Sequence, residues 1–291
     1  MELPGSFLPP TAPQHVSVHK IDFMKTNPPL PEYKDCFALV IDNFLTESEC
    51  RTLLQAAEAH AQNSTTEATG SHDTRRDQSN KTQVRMPWAR TLFGTDGDMS
   101  RNCGRIVWDT PLIAHKLFAR LFPFLIKAGI ATVSTRSEIK AVEPSARNDI
   151  YRVSRLNERL RFLKYERGEF FKPHWDAIYE SLAEETSLFT IHLYLNGDGD
   201  QDLEQLEQAR QRCAAGEFGD LDESEAELPP LGGATSFQSG SVKDVVRIFP
   251  KTGSLLVFQQ KDLLHAGDDV YKGVKYTMRT DIFYRKDVRF Q

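Results

Sequence analysis

Three residues of this chain have the types and the spacing that bind a metal ion. His174-Trp175-Asp176 places an imidazole and a carboxylate two positions apart. On a β-strand, residues i and i+2 point to the same face, so both side chains can reach one ion. His265 follows far downstream, after the apolar segment 255–258. Two histidines and one carboxylate on one side of an ion suit non-haem Fe(II) and leave positions open for further ligands.

Because a His-x-Asp pair alone occurs by chance in many chains, the residues around it decide the interpretation. Tyr165 precedes His174 by nine positions, and Lys275 follows His265 by ten positions on the last predicted strand. Two short segments stand at the ends of the predicted strands between them, namely Tyr194-Leu195-Asn196 and Gly232-Gly233-Ala234-Thr235. The combination is far more specific than the His-x-Asp pair.

Together these features resemble the prolyl 4-hydroxylase-like branch of the Fe(II)/2-oxoglutarate-dependent dioxygenases. The resemblance covers residues 157–286 and is weaker over 37–130, where Arg101-Asn102 and Arg105 are similar to a segment of fungal and bacterial members. It implies three metal ligands, which are His174, Asp176 and His265. It also implies Fe(II), 2-oxoglutarate and O2 as cofactor and cosubstrates, with ascorbate as a supporting reductant.

The resemblance further implies which residues bind the cosubstrate. Lys275 occupies the position of the cation that pairs with the far carboxylate of 2-oxoglutarate, and Tyr165 and Tyr194 stand where tyrosines assist. Thr235, which follows the glycine turn at 232–233, is expected to point inward. A cationic partner is needed because burying an unpaired ion costs several kcal/mol.

Two arginines raise a question about the substrate. The last predicted strand carries four polar residues on one face, namely Lys275, Thr277, Arg279 and Asp281. Arg279 would add a second cation beside Lys275, and either of them could hold the far carboxylate. Arg161 shares a strand face with Tyr165 and can also point inward. Three cations around one dianion indicate a substrate with its own carboxylate; alternatively, Arg279 pairs with Asp281 or an insert carboxylate and Arg161 faces solvent.

Further substrate contacts are expected from residues near the ligands and from the weaker part of the resemblance. These candidates are Asn102, Arg105, His192 and Trp175, in addition to Arg161 and Arg279. His192 precedes Tyr194 by two positions and should face the same side. A hydrogen-bonded core histidine is the alternative interpretation of His192.

The implied reaction converts 2-oxoglutarate into succinate and carbon dioxide while a substrate C–H bond is oxidised. Asp176 favours hydroxylation, because halogenating family members replace this carboxylate, but desaturation and ring formation stay open. We expect a small-molecule substrate, such as an amino acid or a biosynthetic intermediate that carries a carboxylate. A cytosolic protein prolyl hydroxylase is the first alternative, and a catalytically inactive jelly-roll binding module is the second.

Composition and charge exclude several other classes. The 291 residues include 36 Lys and Arg against 41 Asp and Glu, for a net charge of −5. This balance argues against a nucleic-acid partner, and Lys275, Arg279 and Arg285 do not reproduce the arginine pair of nucleic-acid demethylases. No apolar run approaches the roughly 18 residues of a membrane span. Without a signal peptide, and with four widely spaced cysteines, we expect reduced thiols and a cytoplasmic location.

The elements that must position these residues predict a mainly β protein with a helical buttress. The predicted core is a double-stranded β-helix, or jelly roll, with strands over 159–165, 188–195, 233–237, 245–249, 254–259 and 275–284. Two helices precede it. One begins at the capping box Thr46 to Glu49, and the other follows Asp109-Thr110-Pro111 until Pro123 disturbs its end.

The predicted organisation is an extended N-terminal arm over residues 1–35 and a single catalytic domain over 36–291. Two polar segments interrupt this domain. Residues 62–86 are expected to be disordered or to act as a lid. Residues 197–230 carry eleven carboxylates and two arginines, so the rest of the chain has a net charge of +4. This acidic insert is expected to be a solvated loop or a lid with one short helix around Leu203, Leu206 and Cys213.

Overall fold

A computed structural model of the chain describes residues 3–68, 87–95, 98–142, 149–217, 228–240 and 244–287. Its helices are α1 (Glu47–Ala68), α2 (Pro111–Lys127) and α3 (Leu203–Ala214). The strands before the metal-ligand region are β1 (Ser17–Lys20), β2 (Ala38–Asp42), β3 (Ala89–Thr95), β4 (Asp98–Asp109), β5 (Thr132–Ser134), β6 (Ile150–Leu156) and β7 (Arg159–Tyr165). The remaining strands are β8 (Phe170–His174), β9 (Glu185–Tyr194), β10 (Leu231–Gly232), β11 (Thr235–Gln238), β12 (Val245–Ile248), β13 (Leu255–Gln259), β14 (His265–Gly267), β15 (Val270–Lys272) and β16 (Lys275–Lys286).

Fourteen strands form one curled antiparallel sheet. Its order is β1-β2-β13-β9-β16-β7-β4-β8-β14-β11-β12, with β3 beside β4, β6 beside β16 and β5 beside β6. Strands β10 and β15 make a separate pair. Most neighbours in this order are distant in sequence, as a jelly roll requires. The structure confirms the predicted mainly β fold with N-terminal helices.

The two N-terminal helices cover one side of the sheet. The predicted capping box of α1 is confirmed: the Glu49 N–H donates to Thr46 Oγ1 at 3.1 Å, and the Thr46 N–H donates to Glu49 Oε2 at 2.9 Å. Leu53 on α1 and Leu117 on α2 are both buried in the main core. Burial of both helices in this common core stabilises the part of the sheet that contains β4, β6 and β7.

Helix α2 begins as predicted but does not end at Pro123. Pro111 occupies its first turn after Thr110, and the helix runs on to Lys127. The prediction was wrong because Pro123 lies on the exposed side, while Leu121 and Leu125 on either side of it are fully buried. Their burial compensates for the backbone hydrogen bond that a proline removes.

The N-terminal segment is joined to the sheet by pairing and by apolar contacts. Strand β1 is antiparallel to β2 over Ser17–Lys20. Phe23 and Leu30 are buried in a second core that includes Phe237 of β11. The domain boundary at residue 35 stays a prediction.

The two polar segments are partly described. Helix α1 includes residues 62–68, so the predicted polar loop begins later than expected, and residues 69–86 lie outside the described part.

The acidic insert contains α3, as predicted. Asp202 caps α3 by accepting the N–H groups of Glu204 and Gln205 at 2.8 and 3.0 Å. Residues 218–227 of the insert are also outside the described part.

The six predicted strands correspond to β7, β9, β11, β12, β13 and β16, with shifted ends. Strand β9 begins at Glu185 instead of 188, and β16 extends to Lys286. Strands β4 and β8 were not predicted, although β4 lies between β7 and β8 at the centre of the sheet.

Among the described residues, no helix is long and apolar enough to cross a membrane.

Candidate functional site

The structure brings the three predicted metal ligands together. His174 ends β8 and lies opposite His265 of β14 in the register of these paired strands. Nε2 of His174 is 3.7 Å from Oδ1 of Asp176, and Nε2 of His265 is 3.7 Å from Oδ2 of Asp176. One ligand atom from each residue lies within 4.8 Å of the other two. This spacing allows all three to bind one ion.

The orientation of the histidine rings fits Fe(II). Nδ1 of His174 is 2.9 Å from the Lys172 carbonyl, and Nδ1 of His265 is 3.1 Å from the Leu263 carbonyl. With hydrogen on Nδ1, each ring donates to its carbonyl and leaves an Nε2 lone pair for the metal. Nε2 of His265 is buried and has no hydrogen-bond partner in the described residues. A buried polar atom without a partner is costly unless a ligand satisfies it.

The protonation states of the triad also suit a metal. Burial lowers the pKa of His174 to about 4, and burial lowers the pKa of His265, so both rings are neutral near pH 7. Burial alone would raise the pKa of Asp176, but Arg279 and the two histidines hold it well below its usual range. Neutral imidazoles and an ionised carboxylate are the forms that bind iron.

Asp176 is held by two further side chains. The Thr190 hydroxyl donates to Oδ2 at 2.6 Å. Nη2 of Arg279 lies 2.6 Å from Oδ1 of Asp176 and 3.6 Å from Oδ1 of Asp281. Arg279 therefore pairs chiefly with the candidate metal ligand, which neither sequence interpretation of Arg279 included.

Lys275 lies at the start of β16, beside Tyr165 and Tyr194. Its side chain is buried, and Nζ is 5.1 Å from the ring centre of Tyr165 and 5.8 Å from that of Tyr194. The Tyr194 hydroxyl donates to Thr235 Oγ1 at 2.8 Å. Among the described residues, Lys275 has no carboxylate at ion-pair distance. Burial lowers its pKa to about 8. A buried cation between hydroxyl groups can receive the carboxylate of a bound molecule.

Strand register arranges the cavity wall in rows. Across β7, β16 and β9, Leu163, Thr277 and Tyr194 are neighbours. In the next row, Arg161, Arg279 and His192 are neighbours. All of these side chains except Tyr194 line one cavity together with both ligand histidines and Lys275. The metal triad and the Lys275 pocket are therefore parts of a single site.

The predicted substrate residues separate into two groups. His192 is half-buried in the wall of this cavity, where desolvation and Arg279 lower its pKa well below the usual value. Nη1 of Arg161 donates to Oδ2 of Asp281 at 3.0 Å. Arg105 lies opposite Leu163, on the cavity face of β4.

Asn102 and Trp175 do not line the cavity. Asn102 alternates with Arg101 on β4 and so points to the other face. Trp175 is 63% exposed. Their proposed contact with substrate stays a prediction.

Sequence reasoning missed three residues of the site. The Arg101 guanidinium lies 4.7 Å above the Phe171 ring, which stacks on His174 with 3.6 Å between ring centres. Asp281 accepts from both Arg161 and Asn157. Asp281 was recognisable from its shared face with Lys275. Phe171 gave no such signal, because β8 was not predicted, and Arg101 was named only as part of the weaker resemblance over 37–130.

The site agrees with the match to a known family. Residues 160–282 match the model of the 2OG-Fe(II) oxygenase superfamily. This region includes His174, Asp176, His265, Lys275 and Arg279. Members of the superfamily use Fe(II), 2-oxoglutarate and O2, which accords with the histidine and aspartate cluster. No curated protein matches the chain significantly.

Solved structures of prolyl hydroxylases are similar to this chain. A viral collagen prolyl hydroxylase from Paramecium Bursaria Chlorella virus-1, in a complex with 2OG, is 17% identical, with a TM-score of 0.41 over 84% of this chain and 95% of that chain. A Trichoplax adhaerens prolyl hydroxylase with a hypoxia inducible factor peptide fragment is 13% identical, with a TM-score of 0.41 over 84% and 83%. A Pseudomonas putida prolyl-4-hydroxylase is 11% identical, with a TM-score of 0.40 over 92% and 91%. Likenesses of this size carry no conclusion about the substrate.

Proposed function

We propose that this chain, which contains a 2OG-Fe(II) oxygenase domain, hydroxylates a small molecule that carries a carboxylate. One observation supports the enzymatic part: His174 and His265 of the metal triad line the same cavity as the buried Lys275, which has no carboxylate at ion-pair distance among the described residues. A metal site with open positions and a separate carboxylate receptor are the two parts that this chemistry needs.

Each residue has a distinct role in this proposal. His174, Asp176 and His265 would hold Fe(II), and Lys275 would bind the far carboxylate of 2-oxoglutarate. Lys275 suits this role better than Arg279, because Arg279 already pairs with Asp176. Together with 2-oxoglutarate and O2, Fe(II) supplies the oxidation of a substrate C–H bond and the release of succinate and carbon dioxide. Ascorbate would support this reaction as a reductant.

The surrounding side chains keep these groups in place. The Lys172 and Leu263 carbonyls fix the two imidazoles, and Thr190 and Arg279 fix the Asp176 carboxylate. Such contacts to metal ligands typically change metal affinity 10–100-fold. Buried residues such as Thr235, His265 and Lys275 line part of the cavity, and charge interactions are stronger in such surroundings than in water.

A second candidate is a hydroxylase that acts on prolines of proteins. Four large apolar side chains are exposed just after His174, namely Trp175, Ile178, Tyr179 and Leu182. An exposed apolar patch beside an active site can bind a polypeptide. The small molecule is favoured because the cavity wall carries several arginines.

The cytoplasmic location also stays a proposal.

Succinate formation by the purified protein tests these candidates. The protein would be supplied with Fe(II), 2-oxoglutarate and ascorbate, and then with small carboxylates, amino acids or proline-containing peptides. We expect stimulation by a small carboxylate and none in His265→Ala. Stimulation by peptides alone would select the second candidate. Absence of both turnover and iron binding would contradict the enzyme and indicate a binding module.

A further inference from the structure

The cavity wall carries more positive than negative charge. Four cationic side chains line it, namely Arg101, Arg161, Lys275 and Arg279, and a fifth, Arg105, lies on the same face of β4, opposite the lining residue Leu163. Among the described residues, two carboxylates lie at ion-pair distance from these cations. Asp176 pairs with Arg279, and Asp281 pairs with Arg161 and Arg279. The wall therefore has three positive charges in excess.

Arg105 is the least satisfied of these cations. It is half-buried, and its Nε is buried without a hydrogen-bond partner in the described part of the chain. Its pKa is lowered first by burial and then by Arg101, Arg161 and Arg279. These arginines therefore repel one another. Such an arrangement is costly in the empty protein and becomes favourable when an anion binds.

The cosubstrate does not remove this excess. Fe(II) and 2-oxoglutarate carry opposite charges of equal size, so together they leave the balance unchanged. The far carboxylate of 2-oxoglutarate is assigned to Lys275, and Arg279 lies four residues further along β16. At about 3.3 Å per residue, these positions are about 13 Å apart. The row of Arg161 and Arg279 is therefore beyond the Lys275 pocket, and Arg105 lies in the row between them, opposite Leu163.

We propose that Arg105, together with Arg101 and Arg161, forms a second anion site that binds the carboxylate of the substrate. This inference rests on the proposed function and adds the residues that select the substrate. The planar guanidinium fork donates two parallel hydrogen bonds to a carboxylate, and such charged pairs are about twice as strong as neutral ones. Arg101, stacked on Phe171 beside His174, links this arginine cluster to the metal site.

Ligand binding to the loaded protein tests the arginine cluster without turnover. Mn(II) and N-oxalylglycine, an unreactive analogue of 2-oxoglutarate, would fill the metal and Lys275 sites. Saturation-transfer NMR would then compare small carboxylates, their primary amides and inorganic phosphate. We expect one or more carboxylates to bind while the matching amides do not. Arg105→Met should weaken this binding about tenfold or more.

Two variants separate recognition from folding. Arg105→Lys keeps the charge but lacks the fork, so we expect an intermediate loss. Arg51→Met removes an exposed arginine of α1 that pairs with Glu47, and it should bind like the wild type. N-oxalylglycine binding by Arg105→Met would show that this variant is folded. If Arg105→Met does not fold, the comparison moves to Arg105→Lys.

The results distinguish this inference from the proposed function. Carboxylate binding that is unchanged in Arg105→Met and Arg105→Lys would overturn the arginine cluster. So would the absence of carboxylate binding to wild-type protein that binds N-oxalylglycine, or binding of phosphate alone. If the wild type bound neither Mn(II) nor N-oxalylglycine, the proposed function itself would fail.

Discussion

Thr190 donates a hydrogen bond to Asp176, and a third residue, Gln260, orients the Thr190 hydroxyl for this contact. The Thr190 hydroxyl is 2.6 Å from Oδ2 of Asp176, and Nε2 of Gln260 donates to the same hydroxyl at 3.2 Å. Because the Thr190 oxygen already accepts a hydrogen bond from Gln260, the hydrogen of the Thr190 hydroxyl is free to point at Asp176. Gln260 also donates to Asp281, the partner of Arg161. The metal ligand and the arginine wall therefore share one hydrogen-bond network.

Thr190→Val is expected to weaken metal binding. Valine has nearly the same shape as threonine but cannot donate to Asp176, and the loss of such a contact typically costs 10–100-fold in metal affinity. Thr190→Ser should restore most of the affinity. Thr280→Val is the matched control, because its buried hydroxyl donates to the Asn157 carbonyl and not to Asp176. Titration with Mn(II) measures the effect, and equal affinities for all variants would contradict it.

Metal binding is expected to stabilise the folded protein. The ion would satisfy the buried Nε2 of His265 and bind the native triad but not the unfolded chain. We predict that Mn(II) raises the Tm of the wild type, and that chelation reverses this rise. His265→Ala should show no rise. A rise of equal size in His265→Ala would place the metal elsewhere.

Lys275→Met is expected to stabilise the protein when 2-oxoglutarate is absent. The folded-state pKa of Lys275 is lowered from 10.5 to about 8, so its charged form destabilises the fold. By linkage this cost is on the order of 3 kcal/mol, fully present below pH 8 and lost as the pH rises toward 10.5. Urea denaturation at pH 7 and pH 10 would measure it. A variant less stable than the wild type at pH 7 would contradict the expectation.

Binding of 2-oxoglutarate is expected to depend on the protonation of Lys275. The ammonium is the form that attracts a carboxylate, and with a pKa of about 8 it loses its proton in weakly alkaline solution. Affinity for N-oxalylglycine should therefore be constant below pH 7 and fall as the pH rises above 8. Lys275→Arg keeps its charge and should give a flat profile. Calorimetry between pH 6.5 and 9.5 makes this comparison, and parallel profiles for both proteins would argue against Lys275.

The parts of the site that sequence predicted depend on spacing within short segments. His174 and Asp176 are two residues apart, although Asp176 lies just beyond the end of β8, and Lys275 and Arg279 share a face of β16. Strand β4 escaped prediction because Arg101 and Arg105 occupy its cavity face. Hydrophobic alternation indicates a strand only where the inner face is apolar. The two arginines that are proposed to bind an anion are therefore also the residues that removed the apolar alternation of β4.

Contacts between distant residues could not be read from spacing. Asp281 was visible on the inner face of the last strand, but its pairing with Arg161 depends on the register of β16 against β7. Arg279 was expected to approach Lys275 or to pair with Asp281, and it does lie at ion-pair distance from Asp281, but it is closer to Asp176, which spacing did not indicate. Pro123 remained inside α2 because of the burial of its neighbours. Each of these outcomes was decided by tertiary packing.

Visible absorption of the anaerobic Fe(II) protein tests the central claim most directly. When an α-keto acid chelates Fe(II), the complex gains a charge-transfer band that neither component shows alone. We predict that 2-oxoglutarate produces this band in the wild type, that His265→Ala abolishes it, and that Lys275→Met requires much more 2-oxoglutarate. Absence of the band in the wild type, or an unchanged band in both variants, would contradict the assignment of the site.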